Sequence, residues 1–337
     1  MRRREFIGAA GAATMFALTA RTYAQGNGRT PRIAIVAVAT RIEDITIHGV
    51  PAFKGYFSEL ERLGYIEGTN LLVERYSALG RFDRFQDIAQ TVVERAPDLI
   101  VTWSNVLALR LKSLTTTIPI VLAGADPIAA GLITNLARPE ANVTGVSSDA
   151  GLEIWGKRLQ VFVDAVPMLR NARFLVTDDT THWAKIVFAV LSQAAQQLNI
   201  SIRAAVVGNA PDLPAYGRVF QQMAGERVDG LVVADGAEHV VNRASIVRLA
   251  AQYRMPAMYA FREFVHAGGL LSYGIDLADS ARRMADMTVE LLNGKRPGQI
   301  PFYQQIKFEL VLNRATAGAL GLEFPANVLA TADEVIE

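Results

Sequence analysis

Residues 97–105, PDLIVTWSN, place a short apolar run, Leu99 to Val101, behind an aspartate and then stop in Thr102, Trp103, Ser104 and Asn105. A run of that length, rich in branched apolar residues, has the character of a strand buried on both faces, as in a parallel sheet. Residues 228–236, VDGLVVADG, repeat the plan: Asp229 leads, four apolar residues follow it from Leu231, and the run ends at Asp235 and Gly236. Ligands of open parallel sheets lie beyond the carboxyl ends of the strands. Polar and aromatic residues at two such ends predict two halves of one site.

The rest of the chain extends the pattern in both directions. RIAIVAVA (32–39) is a strand, 50–63 a helix, NLLVERYSA (70–78) a strand and 82–95 a helix; past the opening stretch come a helix over 106–114 and the strands IPIVLAG (118–124) and NVTGVSS (142–148). The series then restarts with a helix over 152–166, the strand RFLVTDD (173–179), a helix over 183–198, the strand ISIRAAVVG (200–208) and a helix over 215–226; GLVVADG, a helix over 240–253 and the strand PAMYAF (256–261) complete it. Strands alternating with helices predict parallel sheets with crossover helices. When Asp98 is aligned with Asp229, Ser104 falls on Asp235 and, after a helix six residues longer in the second copy, Pro119 falls on Pro256 and Asp126 on Glu263. The expected fold class is therefore α/β, with two Rossmann-like lobes built on one plan. LLSYGID (270–276), a helix over 278–292 and the strand FELVLN (308–313) are too little for a third domain, so this tail is expected to recross between the lobes and form part of a hinge. The expected division is 31–147 with 276–309 in the first lobe and 148–275 with 310–337 in the second.

Composition narrows the function. The 337 residues are 51% apolar and 20% charged, enough for a large core, and 34 basic against 33 acidic side chains advertise no nucleic-acid partner. Arg2, Arg3 and Arg4, a weakly apolar stretch FIGAAGAATMFALTA and a cleavage point after Ala24 form an export signal over residues 1–24. Arg3, Arg4, Phe6 and Ile7 fit the twin-arginine pattern, with the general secretory route as the alternative. The apolar stretch is shorter than the ~20 residues of a membrane span. Removing four arginines and one glutamate with this leader leaves 30 basic and 32 acidic residues, a net charge of −2. Zero cysteines exclude disulfides, thiolate metal sites and a lipid-anchoring cysteine. A soluble, monomeric periplasmic protein without a direct membrane anchor is expected.

In the first lobe, Ser104 or Asn105 is placed to cap the following helix and Trp103 to offer an apolar face, which suits a small ligand carrying an anionic group and a ring. Asp126, in GADP, reads as a ligand contact or as an N-cap preceding Pro127 at a first helical position. In the second lobe, Asp178 and Asp235 follow strands and are candidates for a ligand ammonium, and Arg262 for a bidentate carboxylate pair. Tyr273 and Asp276 stand where the chain recrosses, at the cleft rim or hinge, with Asp276 also a helix cap. His48, His182, His239 and His266 lack metal-ligand spacing, and no Walker loop, dinucleotide fingerprint or nucleophile elbow occurs. No catalytic residue, metal or cofactor is expected.

Four blocks carry a family resemblance: GADPIAAGLITNLARPEANVTGVSS (124–148), GKRLQVFVDAVP (156–167), MPAMYAFREFVHAGGLLSYGIDLADSARRMADMTVELLNGKRP (255–297) and KFELVLNRATAGALGL (307–322). Together they resemble the ABC-transporter substrate-binding proteins related to tryptophan- and tyrosine-binding receptors. The resemblance implies the type I periplasmic binding fold, with three segments crossing between two lobes, a ligand cleft between them and an inner-membrane ABC permease as partner. The chain departs from the family's pattern where ligand contacts fall. Trp103 occupies a glycine's place, TDDTTHW (177–183) replaces a Trp-Asn-Pro-like loop, and Asp235-Gly236-Ala237 replaces an Asp-Pro-type loop. The function expected is a non-catalytic receptor for an amino acid or aromatic carboxylate. A periplasmic sensor feeding a signalling receptor uses the same cleft and is the alternative; an exported enzyme would need a reactive constellation that the sequence does not offer.

Overall fold

Alternate residues of the first strand, β1 (Arg32–Ala37), feed two different cores. Ile33 and Ile35 enter one, while Ala34 and Val36 enter the other. This period of two is what a sheet covered on both faces demands. The computed structural model that shows it describes residues 29–139, 142–147, 151–208, 211–305 and 307–337, so the leader expected at 1–24 lies outside the described residues.

One face of the first sheet is covered by α1 (Pro51–Arg62), which buries Phe53, Tyr56, Phe57 and Leu60 at helical spacing, and by α10 (Leu277–Leu292). The other is covered by α2 (Phe85–Glu94) and α3 (Asn105–Leu114). Helices α1 and α10 approach closely at one end because residue 55 is glycine: a Cβ there would stand 3.1 Å from the Ala278 carbonyl oxygen. With β2 (Leu72–Ser77), β3 (Leu99–Thr102), β4 (Ile120–Gly124), β5 (Val143–Ser147) and β11 (Tyr303–Gln304), the sheet has the order β11-β5-β4-β3-β1-β2, all parallel.

The second sheet has the order β13-β12-β10-β9-β8-β6-β7, from β6 (Asn171–Val176), β7 (Ser201–Val206), β8 (Gly230–Val233), β9 (Ala257–Tyr259), β10 (Leu271–Gly274), β12 (Glu309–Asn313) and β13 (Glu334–Ile336). Only the β10–β12 pairing is antiparallel. Helices α4 (Glu153–Ala165) and α5 (His182–Gln197) lie on one face with Trp155, Phe162 and Phe174; α6 (Leu213–Gly225), α8 (Arg243–Gln252) and α9 (Arg262–His266) lie on the other with Tyr216, Phe220 and Phe264.

The two halves share the inner order second-first-third-fourth-fifth, and the shared plan reaches individual bonds. Asp98 accepts from the backbone N–H of Arg32 at 2.7 Å, and Asp229 from that of Asn171 at 2.9 Å. The Pro119 carbonyl accepts from Ile100, and the Pro256 carbonyl from Leu231, both at 2.9 Å. Two of the pairs aligned in the sequence, Asp98 with Asp229 and Pro119 with Pro256, therefore make the same bonds in each lobe.

The chain crosses between the lobes after β5, after β10 and after β11. Gln305, 3% exposed, ties the three crossings together. Its backbone N–H donates to the Ser147 carbonyl at the end of β5 at 3.2 Å, and its side-chain amide donates to Asp279 at 3.2 Å and to Ser280 at 3.1 Å in the first turn of α10. Two expected helices are divided. Residues 82–95 form a 3₁₀ turn over Phe82–Arg84 and then α2. Residues 240–253 form α7 (Ala237–Val241) and α8, because both the backbone and side-chain N–H groups of Asn242 take the Glu238 carbonyl, at 3.1 and 2.9 Å. The short helices α9, α11 (Arg314–Leu320) and α12 (Ala326–Ala330) were not expected from the sequence pattern.

Tyr56 and Thr288 meet inside the α1–α10 interface at 2.9 Å, both fully buried. The Thr288 hydroxyl donates to the Met284 carbonyl, which makes the Tyr56 hydroxyl the donor between them. Thr288→Val leaves that donor unpaired and is expected to cost about 1–3 kcal/mol in urea unfolding, whereas Tyr56→Phe, which strands no donor, costs less. Equal costs for the two variants would refute this assignment of the bond.

Candidate functional site

In both sheets the strand order reverses between the first and third strands, and the gap beyond their carboxyl ends is where a ligand can be held without interrupting the sheet. Residues 103–105 follow β3 and Asp235 follows β8, so the two echoing stretches end at equivalent places in the two lobes.

On the first lobe, the Trp103 ring stands edge-on to Phe53 at 4.7 Å and Tyr56 at 5.8 Å, wedged against α1 and half-buried. Ser104 is the N-cap of α3 and accepts from the Leu107 N–H at 3.3 Å. The N–H groups of Asn105 and Val106 precede any carbonyl the helix can offer them, and with the helix dipole they form an anion-receiving corner. Asn105 donates its amide N–H to the Ala125 carbonyl and so fastens the end of β3 to the loop after β4. Its Oδ1 is buried without a hydrogen-bond partner, over Gly124, where a Cβ would come within 2.0 Å of it. Asp126 accepts from Ile128 at 3.2 Å and Ala129 at 2.9 Å. It closes a turn, and the helix anticipated after Pro127 does not form.

On the second lobe, Asp178 is occupied within its loop, accepting from the Thr180 N–H at 2.8 Å and hydroxyl at 2.6 Å; these bonds hold its carboxyl below the usual range. Asp235 stands 3.8 Å from Arg158 of α4 and keeps 20% of its side chain exposed. Protein surrounds it on most sides, so desolvation raises its carboxyl while Arg158 pulls the other way. Glu238, one turn further on, is also raised by burial and secondarily by Asp235. Burial pushes His239 down to about 4, and its Nδ1 meets the Tyr216 hydroxyl at 2.8 Å. At the end of β8 the Asp235 carboxyl thus faces the Arg158 guanidinium, with the buried Glu238 carboxyl close enough to feel Asp235, and a ligand ammonium is the group this corner can take. Beside them Ala237 packs against the first lobe's core on the α2–α3 side of its sheet, so the walls meet there.

Arg158 was missed in the sequence. It is 3% exposed, lies 4.4 Å over the Trp155 ring and donates from Nε to the Tyr273 carbonyl at 2.9 Å, linking two of the expected residues, Asp235 and Tyr273. The signal for it was its phase: Trp155, Arg158, Leu159 and Phe162 share the buried face of α4, where a charge needs a partner.

The other expected residues are engaged elsewhere. Arg262 pairs with Glu309 at 2.9 Å and with Glu334, which also meets His266 at 3.0 Å; the guanidinium fastens α9 to β12 and β13. Tyr273 stacks on Phe308 at 5.9 Å. Asp276 caps α10, accepting from Ala278 at 2.7 Å and Asp279 at 3.1 Å, and stands 3.7 Å from Arg282. Among the described residues, no group of three or more acidic, histidine or cysteine side chains is arranged to hold a metal, and no helix is long and apolar enough to cross a membrane.

Comparison with known proteins matches this architecture. The family described as ABC transporter substrate binding protein matches residues 36–336. The tyrosine-binding protein of Clostridioides difficile is 25% identical over 273 residues, covering 81% of this chain and 77% of that protein. The crystal structure of a conserved domain protein from Vibrio cholerae superposes with a TM-score of 0.78 at 25% identity, covering 91% of this chain and 100% of the other. An ABC domain in complex with L-Trp from Streptococcus pneumonia gives 0.76 at 22% identity over 90% of this chain and 100% of that one, a likeness of fold. Two parallel-dominant lobes, three crossings and a match over nearly the whole described length lead to one conclusion: the chain belongs to the ABC transporter substrate-binding proteins with the type I periplasmic binding fold, and is a binding protein, not an enzyme.

Proposed function

We propose that this protein is the extracytoplasmic receptor of an ABC importer and that its ligand is an aromatic amino acid, held between the lobes by their closure. The carrying observation is the pairing of opposite chemistries at equivalent strand ends: a helix start beside an indole after β3, and an acid-rich corner at Asp235 after β8. The free N–H groups of α3 and the Ser104 hydroxyl receive the carboxylate, Trp103 receives the ring and Asp235 the ammonium. Asn105 and Asp126 hold the first wall in shape, and Arg158 positions Asp235. A ligand gripped from both lobes stabilises their closed arrangement, whereas one gripped from a single lobe shifts nothing. The tyrosine- and tryptophan-binding proteins that the chain resembles support this ligand class. The reading includes export by the twin-arginine leader, residence in the periplasm as a monomer, delivery to an inner-membrane permease, and the lobe division 31–147 with 276–309 and 148–275 with 310–337.

A thermal-shift and calorimetric screen of L-tyrosine, L-tryptophan, L-phenylalanine and their deaminated acids tests it. A ligand at 100 times its Kd stabilises the protein by about 2.7 kcal/mol. Trp103→Ala and Asp235→Asn are each expected to weaken the best ligand by roughly tenfold or more, the cost of a lost anchor or charge-assisted hydrogen bond. Unchanged affinity in both variants would remove the site from this position.

Affinity should also depend on pH through Asp235. Its carboxyl is raised by burial, so it takes up a proton at a higher pH than an ordinary aspartate, and the protonated form no longer attracts an ammonium. As the pH is lowered from neutral, affinity for the amino acid should begin to fall earlier than an ordinary aspartate would cause, with Asp235→Asn flattening the profile. A profile equally steep in Asp235→Asn would assign the dependence to another group.

A further inference from the structure

Leu79 stands where a leucine is out of place on two counts. It is the first central residue of the turn 78–81, which the Arg81 N–H closes by donating to the Ala78 carbonyl at 3.0 Å; φ is 52° at Leu79 and 77° at Gly80. Positive φ at both central positions is type I′ geometry, which suits asparagine or glycine and strains a leucine. The turn is fixed to the sheet: the Ala78 and Gly80 N–H groups donate to the Ala37 and Val38 carbonyls at 3.1 and 2.8 Å, and the Leu79 N–H donates to the Ser77 hydroxyl at 3.1 Å. The residue is also 52% exposed. A lone apolar side chain on a surface is ordinary, but one carried on a backbone that another residue would fit better asks for a return elsewhere.

Its place in the fold suggests what the return is. Leu79 follows β2, the edge of the first sheet farthest from the three crossings. The next strand in is β1, and the 3₁₀ turn after it, Ile42–Asp44, exposes Ile42. The second sheet is built alike. Its farthest edge is β7, whose last residue, Val206, is exposed, and the helix that follows, α6, begins with an exposed Leu213. Side chains in a helix lean toward its N-terminus, so Leu213 leans toward the carboxyl edge of the sheet, which borders the cleft. Each lobe thus carries two large apolar residues at the mouth of the cleft, where a rotation about the crossings moves the lobes furthest. Nearer the crossings the lobes already touch, at Ala237.

We propose that Leu79 and Ile42 form one half of an apolar latch and Val206 and Leu213 the other, which meet when ligand draws the lobes together. The inference rests on the lobe closure of the reading above. Apolar groups on both sides of a gap that narrows need no outside partner to leave water. The strain at Leu79 burdens both forms, whereas the burial of its side chain favours the closed form alone. The latch therefore raises the affinity for a ligand that closes the lobes.

The chain has no cysteine, so introduced pairs report on the mouth directly. Leu79→Cys combined with Leu213→Cys should crosslink through a short bis-maleimide faster when the tightest binder among L-tyrosine, L-tryptophan and L-phenylalanine is present. Leu79→Cys combined with Met168→Cys, in the exposed loop before β6 at the opposite edge of the second sheet, should show no such acceleration. Leu79→Asn keeps the turn and removes the apolar group: it should unfold at the same urea concentration as the unaltered protein or a higher one, yet bind the amino acid about three- to tenfold more weakly. Leu213→Gln should weaken binding similarly, and the two together by less than the product, because each breaks the same contact. A crosslinking rate indifferent to ligand, or affinity unchanged in both variants, overturns the latch. So does a loss of stability in Leu79→Asn, which would make the leucine a packing residue of its own lobe. If the unaltered protein binds none of the three amino acids, the reading beneath the latch falls and takes the latch with it.

Discussion

The buried amide of Gln305 is the constraint on which the arrangement of the two lobes rests. Three chain crossings pass between the sheets, and this one residue is bonded to the other two, through Ser147 on one side and Asp279 and Ser280 on the other. A 3% exposed amide has no water to fall back on, so losing one partner carries a desolvation penalty as well as a lost bond. The crossings therefore hold a common geometry, and the strand ends of one lobe keep a fixed relation to those of the other near the connection. Away from it, Ala237 against the first lobe's core is one place where the walls touch.

The walls are electrically unlike. The first offers the start of α3, a polarised set of N–H groups beside an indole held by Phe53 and Tyr56. The second offers Asp235 against the Arg158 guanidinium, with Glu238 buried beside it, both carboxyls raised by burial. The first wall thus presents N–H donors and the second carboxyl acceptors. On the proposed reading a zwitterion would answer both walls at once, which is why that reading takes an amino acid and not a simple anion or cation.

Much of the plan was legible in the sequence because it rests on local rules. Apolar runs of four or five residues report strands buried on both faces, and the aligned pairs Asp98 with Asp229 and Pro119 with Pro256 mark bonds that recur at the start of each third strand. Contacts between distant segments were not legible. Arg262 follows a strand end as a ligand-binding arginine would, but Glu309 and Glu334 reach it only after the tail has folded back. Asp126 and Pro127 carry the chemistry of a helix start, yet a single closed turn satisfies the same side-chain bonds. Arg158 was hidden in a helix and is placed by Asp235 and the Tyr273 carbonyl, each more than 70 residues away.

The antiparallel pairing of β12 with β10 follows from the same crossings. Every parallel strand in a lobe runs toward the edge where the crossings lie. After the first two crossings a helix, α4 or α10, carries the chain back to the far edge before the next strand begins. After the third crossing there is no helix: the chain enters the second sheet directly as β12, which must then run away from the crossing edge and so opposes β10. Asn313 at its end therefore arrives at the far edge, where its side chain caps α11 by accepting from Thr316 at 2.8 Å. That reversal sets α11 beside α8 across the mouths of β9 and β10. The small residues of α11 leave a space of about 420 Å³ between the helices, a consequence of how the chain returns to its second lobe.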